Sequence, residues 1–467
     1  MKIEQLYTKC IAEAAYFIAS QGEAAIIDPL RETQPYLDLL EKEGVKLKYI
    51  FETHFHADFV SGHVDLAKKT GAKIVYGPMA EAGYDLHSAK DNEEFNIGDL
   101  TIKVLHTPGH TMESSTFLLK DENGNNNAIF TGDTLFLGDV GRPDLAIKSN
   151  VTMDDLAGYL FDSLRNRIMP LEDSLIVYPG HGAGSSCGKN LSSETVGTLG
   201  EQKKTNYALR ADMTRDEFIK EVTDGILPPP QYFPKNAMMN KIGYESIDEV
   251  MNRGVQALDV EAFKNEVRNG AVILDARNQS DFVKEFIPKS LFIGIDGSFA
   301  MWVGALITDI KQKIVFISPK GRESEVVKRL ARVGYDNAVG YLNGGINAWK
   351  EAGESIDNIK SITPEQFAQD YKEGTNVVDV RKIGEYNNQH VEDAKLLSLD
   401  YIYEHLDDIE KEDKYHVHCA GGYRSVIAIS ILQPYGYKNL INVEGGFGKI
   451  KTLDNVKLTE TVCSSTE

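Results

Sequence analysis

Cysteine is scarce in this chain: four residues (Cys10, Cys187, Cys419 and Cys463) in 467, none in a C-x-x-C pair. That excludes a disulfide framework. Basic charge is also short, with 50 Lys plus Arg against 70 Asp plus Glu and a formal charge of −20. No lysine- or arginine-rich run occurs, and phosphate recognition needs clustered positive charge, so nucleic acid is excluded as a partner. Long apolar runs are missing as well. A notable uncharged stretch, Gly297 to Thr308, covers about 12 residues, too few for the ~30 Å hydrocarbon layer of a membrane. At the start, MKIEQLYTKC leads into an apolar segment that Glu13 interrupts, so no signal peptide is expected and a cytoplasmic location is.

What is present describes a soluble globular chain: 42% hydrophobic and 26% charged residues. At roughly 100–200 residues per domain, the length predicts two to four domains. Short β-branched strands (AAIIDP, KIVYG, TIKVLHTPG, NAIFTGD, LIVYPG) mix with a helical stretch, QPYLDLLEKEG, in the first half. Four of the fifteen prolines lie between Pro228 and Pro234, where neither a helix nor a central strand is expected, marking a junction. Beyond it the chain repeats itself. Asp275 in VILDAR recurs as Asp379 in VVDVR, 104 residues on, and Gly344-Gly345 as Gly445-Gly446, 101 on. Ser318 faces Cys419 at the same offset of 101. A period near 100 is a duplicated domain, since solenoid repeats are shorter, and its alternating strands and amphipathic helices imply a parallel α/β sheet. Three domains are expected, at 1–235, 250–355 and 358–467.

Six polar residues of the first domain fall just after strand-like runs: His54, His56, Asp58, His110, Asp133 and His181. A lone histidine is most simply structural, but six such groups delivered to one rim form a ligand set suited to iron, zinc or manganese. The segment Ala183–Asn190 approximates a phosphate-binding loop but ends in asparagine where Ser or Thr would hold Mg²⁺, so no nucleotide site is read there. Cys187, six residues after His181, is placed at the pocket rim, with Lys189 a candidate to lower its pKa.

His54-Phe55-His56-Ala57-Asp58-Phe59, followed by His110, Asp133 and His181, resembles the H-x-H-x-D-H pattern of the metallo-β-lactamase fold, implying an αββα sandwich. Phe59 stands where the sixth position is histidine. In dinuclear hydrolases of the glyoxalase II type that histidine and the residue matching Asp58 hold a second zinc, so Phe59 counts against a complete two-metal site. THFHADFVSGH, TPGHTMESSTF, FTGDTLFLGDVGRPDLA and PPPQYFP resemble the persulfide dioxygenase branch. The resemblance implies Fe(II), one per chain, held by His54, His110 and Asp133, a set that spacing alone does not single out from His56 and His181. His56, Asp58 and His181 then remain as supporting residues or a vestigial second metal site, and Arg142 as a substrate contact. A cysteine in the position of Cys187 is shared with fused bacterial versions and implies a sulfur-handling role.

Cys419-Ala-Gly-Gly-Tyr-Arg-Ser425 follows a strand and opens a helix, an arrangement in which backbone N–H groups and a helix N-terminus favour thiolate. With Asp379-Val-Arg381 and Glu444-Gly-Gly446 it resembles a rhodanese, a doubly wound α/β sulfurtransferase domain. The resemblance implies a persulfide carried on Cys419, with Arg424 supplying charge and Gly421, Gly422 and Ser425 the anion cradle. In the earlier copy the loop is Ser318-Pro-Lys-Gly-Arg-Glu-Ser324. A hydroxyl cannot replace a thiolate at neutral pH, and Glu323 opposes anion binding, so this copy is read as structural.

Together the resemblances imply oxidation of a small thiol persulfide by O₂ to sulfite, coupled to sulfur transfer giving thiosulfate, in a dimer or tetramer that binds no membrane. The alternatives are a zinc-dependent thioester hydrolase fused to a sulfurtransferase, and a sulfur carrier with a vestigial metal site.

Overall fold

A computed structural model describes residues 1–146, 151–189 and 191–460; Asn190 and Cys463 lie outside them. The chain divides into two compact units. The first is Met1–Val250 with Lys328–Asp336, the second Met251–Val327 with Asn337–Glu467.

The first unit holds two six-stranded sheets. One takes the strands from Lys2–Thr8 to His87–Ser88 in chain order; the other runs in reverse order, from Gly197–Thr198 back to Glu94–Ile97. Side chains alternate across each strand, and the strand Glu13–Ser20 shows the result. Tyr16 and Ile18 pack with Phe51 and Val75 against Phe117 and Phe130 of the second sheet. Phe17, between them, turns the other way to meet Leu39, Leu40 and Leu66 of the helices Gln34–Glu43 and His63–Thr70. On the far face of the second sheet, Leu105, Ile129 and Val177 pack against Ala157 and Leu160 of the helix Met153–Ser163. The layers are therefore helix, sheet, sheet, helix.

The proline cluster ends differently from the expectation above. A helix forms at Phe233–Ile242 with Pro234 in its first turn, where the missing N–H would have no helical partner anyway.

The second unit contains two five-stranded parallel sheets. Counted along the chain, both have the order first, fifth, fourth, second, third, starting at Ala257–Leu258 and Lys360–Ile362 respectively. The shared order gives the sequence repeat a structural counterpart, and the fine detail repeats too. Arg277 grips Asp275 at 2.7–3.1 Å and donates to the Glu285 carbonyl. Arg381 grips Asp379 at 2.6–3.0 Å and donates to the Gln389 carbonyl. Because Asp379 and Arg381 are both buried, Asp379→Ala leaves a guanidinium with no countercharge. A loss of about 3–5 kcal/mol is expected, measurable by urea unfolding; a change below about 1 kcal/mol would show that water reaches Arg381.

Candidate metal centre and cysteine loop

The metal-site residues of the first unit follow four strands. His54 comes after Lys46–Phe51, His110 after Leu100–His106, Asp133 after Asn126–Gly132, and His181 after Ile176–Pro179. Ligand atoms of His54, His110 and Asp133 lie within 4.8 Å of one another, and all three residues are buried. His110 Nε2 is 3.5 Å and His54 Nε2 4.0 Å from Asp133 Oδ2, an oxygen that no hydrogen-bond donor meets. A buried acceptor of that kind needs a cation or a donor, so the donor set fits a metal ion.

The rings are held for that task. His110 Nδ1 lies 2.8 Å from the Arg142 carbonyl, which can only accept; the proton is therefore on Nδ1 and the Nε2 lone pair faces the site. Thr53 spends its hydroxyl proton on Asp28 at 2.8 Å and is left as an acceptor 3.0 Å from His54 Nδ1. Burial, then the neighbouring His56, holds the His54 pKa well below its usual value, which keeps that imidazole neutral. Burial works against the charge of Asp133, yet His181, His110 and His54 together hold its carboxyl well below the ordinary range.

His56, Asp58 and His181, grouped in the sequence reading, separate. His56 belongs to a different buried trio with Asp28 and Glu52, its Nε2 3.1 Å from Asp28. The alternation of side chains along His54-Phe55-His56 does not itself say which acids wait on each side. Asp58 and His181 join Cys187 instead. His181 Nε2 is 2.8 Å from Asp58 and Nδ1 2.8 Å from Asp133; burial opposes its charge, but the two carboxylates prevail and raise its pKa well above normal.

Cys187 is buried, and the expected help from Lys189 does not occur. Lys189 Nζ donates to the carbonyls of Glu221 and Asp224, while burial, then Asp58 and Asp133, push the thiol pKa well above its usual value. Arg142 does not present a free guanidinium. It forms two bonds to Asp144, at 2.6 and 2.7 Å, and donates to the Ser186 and Leu227 carbonyls. Its backbone is what serves the site, because its carbonyl orients His110 and its N–H donates to the Cys187 carbonyl at 2.9 Å.

Sequence reasoning passed over Asp28, Glu52 and Glu13. Asp28 ends the strand read as AAIIDP, so the rule that found Asp133 could have found it. It has positive φ, 49°, and accepts from both the Thr53 N–H and hydroxyl.

In the second unit, Cys419 ends the strand Tyr415–His418 and the helix Tyr423–Leu432 opens beyond it. The Gly422 N–H points at Cys419 Sγ, 3.0 Å away, with φ of +97° at Gly422. Arg424 is bound through two bonds to Glu385, 2.6 and 2.8 Å long, so its charge is shared with a carboxylate. Ser425 is fully buried, its hydroxyl 2.7 Å from Asn442 and 2.8 Å from the Gly422 carbonyl. Gly421 is exposed. Gln279 of the earlier copy donates to the Gly422 carbonyl at 2.9 Å, a contact that no local pattern announces. A methyl group on Gly446, at φ +54°, would stand 2.2 Å from the Cys419 carbonyl. Gly446→Ala is expected to displace the cysteine loop and cut sulfur transfer at least about tenfold, a barrier increase of roughly 1.4 kcal/mol. A thiocyanate assay would read this, and full activity would mean the loop yields without cost.

Residues 9–181 match the metallo-beta-lactamase superfamily, and residues 259–352 and 363–453 match the rhodanese-like domain. The human mitochondrial persulfide dioxygenase ETHE1 is 30% identical over 211 residues, 45% of this chain and 74% of that protein. A probable hydroxyacylglutathione hydrolase of Schizosaccharomyces pombe is 32% identical over 185 residues, 38% of this chain and 67% of that one. A solved metallo-beta-lactamase structure from Staphylococcus aureus aligns with a TM-score of 0.64 at 31% identity, covering 73% of this chain and 98% of that one. An αββα unit with a buried His-His-Asp centre and two repeated parallel sheets thus has relatives at every level compared. The chain belongs to the metallo-β-lactamase superfamily, as a fusion of an N-terminal domain homologous to ETHE1 persulfide dioxygenases with C-terminal rhodanese-like domains.

Proposed function

We propose that the protein oxidises small thiol persulfides with O₂ to sulfite and passes sulfane sulfur through Cys419 to give thiosulfate. The proposed division of labour assigns oxidation to residues 1–235, transfer to 358–467, and a structural role to 250–355. The overall oxidation is R–S–SH + O₂ + H₂O → R–SH + SO₃²⁻ + 2H⁺. In the transfer, the outer sulfur of a second persulfide moves to the Cys419 thiolate and a free thiol leaves. Sulfite then takes that sulfur, forming the S–S bond of thiosulfate and returning the thiolate.

The observation that carries the reading is the buried His54, His110 and Asp133 trio. Two imidazoles and one carboxylate are the ligand set of non-haem Fe(II) oxygenases. Fe(II), one per chain, held there would supply the one-electron steps that O₂ requires. The protein's own part is to fix both rings through Thr53 and the Arg142 carbonyl and to keep Asp133 ionised. Phe59 puts a buried apolar ring, 4.3 Å from that of His56, where the motif has an imidazole. At the second site, the Gly422 N–H stabilises sulfur charge on Cys419. No described helix is long and apolar enough to cross a membrane; a cytoplasmic setting is part of the proposal.

The resemblance to hydroxyacylglutathione hydrolases supports a second reading, zinc-dependent thioester hydrolysis. Oxygen uptake by the Fe(II)-loaded chain with glutathione persulfide and coenzyme A persulfide separates the two. Uptake requiring both persulfide and iron is expected; none with either persulfide, despite one bound iron per chain, would favour the hydrolase.

A further inference from the structure

We propose that Gln279, which belongs to the copy without a loop cysteine, is a positioning residue for sulfur transfer at Cys419; the proposal rests on the transferase reading. It gives residues 250–355 a part in the reaction beyond a structural one. Gly421 and Gly422 have no side chains to pack, and glycine gives up more freedom on ordering than any other residue. The Cys419 loop is therefore held by what bonds to its backbone. Its own copy supplies the N–H groups of Phe447 and Gly448, which donate to the carbonyls of Cys419 and Ala420 at 2.6 and 2.9 Å. The Gly422 carbonyl is held across the two copies, where Gln279 Nε2 donates to it at 2.9 Å.

Gly422 is where such a hold matters. Its N–H faces Cys419 Sγ at 3.0 Å, and with φ +97° and ψ −14° it caps the helix Tyr423–Leu432. A peptide unit is planar and trans, so pinning the Gly422 carbonyl also sets the Tyr423 N–H, the first of that helix. The helix is tied to the earlier copy as well. The Tyr423 hydroxyl donates to the Gly294 carbonyl and the Phe292 N–H to Ser430 Oγ, both at 3.0 Å. Gly297 makes room for the tyrosine ring: a methyl group there would stand 2.4 Å from Tyr423 Cζ. Every residue from Ser425 to Leu432 is buried, as a helix that is apolar all round requires. Gln279 itself is only half-buried, so its amide, and not its packing, is what reaches the loop.

Thiosulfate and cyanide read the effect directly. The outer sulfur of thiosulfate moves to the Cys419 thiolate as the S–S bond breaks and sulfite leaves. Cyanide then takes that sulfur as thiocyanate and the thiolate returns. Both steps change the charge on the sulfur that the Gly422 N–H faces, and a charge-assisted hydrogen bond is sensitive to its geometry.

The full-length chain is assayed at about pH 8, where a histidine with its usual pKa is neutral. Gln279→Met is close in size and uncharged but has no donor. It should lower kcat for thiocyanate formation about three- to tenfold, the worth of one hydrogen bond, with KM for thiosulfate little changed. Gln279→His returns a neutral ring N–H and should recover most of the loss. A second readout is the rate constant for alkylation of Cys419 by iodoacetamide, followed on its tryptic peptide by mass spectrometry. It should fall in Gln279→Met, because the thiolate is less well stabilised, whereas a loop that had merely opened would react faster. An unchanged kcat, an unchanged or faster alkylation, or a Gln279→His chain no better than Gln279→Met would each overturn the proposal. If the unaltered chain forms no thiocyanate, the transferase reading falls, and the alkylation rates alone decide whether Gln279 positions the Cys419 thiolate.

Discussion

In His110→Ala, persulfide-dependent oxygen uptake should vanish while sulfur transfer through Cys419 continues. His110 faces Asp133 Oδ2 across 3.5 Å, and its ring is held by the Arg142 carbonyl. Removing the ring leaves one imidazole and one carboxylate for the metal. Loss of a partner that merely orients a metal ligand costs about 10- to 100-fold in affinity, so loss of the ligand itself should cost at least on the order of 100-fold. Iron analysis after gel filtration would show a largely metal-free chain, and an oxygen electrode would show no uptake above the protein-free rate. Cys419 lies in the other compact unit, so thiocyanate formation from thiosulfate and cyanide should stay within about twofold of the original. Loss of both activities in a protein that still melts cooperatively would refute this separation.

The complementary change, Cys419→Ser, should leave sulfite formation intact and stop thiosulfate formation. Serine fits the space, and the Gly422 N–H can still reach its oxygen. A hydroxyl, however, stays protonated at neutral pH and cannot accept sulfane sulfur. A lost nucleophile elsewhere costs 10⁴-fold or more, and about that loss is expected here. Chromatography of the products of glutathione persulfide oxidation would show sulfite accumulating where thiosulfate formed before. Thiosulfate at the original rate would mean that the transfer runs through another group, or without the protein.

What the sequence made legible, and what it did not, follows physical lines. Strand ends were readable because β-branched runs and the polar residues after them are local, and that rule led to His54, His110, Asp133 and His181. The repeat was readable because the Asp275 and Asp379 strands are both short apolar runs ending in an aspartate, and each aspartate binds an arginine two positions on. The partition among the histidines was not readable. Whether His56 meets Asp133 or Asp28 depends on Asp28 being brought beside Thr53, a pairing across 25 residues. Arg142 misled for a related reason: its guanidinium promised a substrate contact, while its peptide group does the orienting. The surroundings of Cys187 depend on Asp58, far away in sequence, so local glycines and a lysine pointed the wrong way.

The first unit is not one continuous stretch of chain, since it takes in Lys328–Asp336 after a departure at Val250. Those nine residues bear on its interior: the Arg332 carbonyl accepts from the Val60 N–H at 2.7 Å, and Asp336 pairs with the fully buried Arg31 at 3.0 Å. During synthesis the loop carrying Asp58 and Phe59 therefore has no partner for Val60 until residue 336 clears the ribosome. Chains emerge at roughly 5–20 residues per second, which makes that wait about 14 to 55 seconds for the 276 residues from Val60 to Asp336. A ribosome stalled near residue 250 would hold a first unit in which the Val60 N–H lacks its acceptor and Arg31 lacks the Asp336 carboxylate.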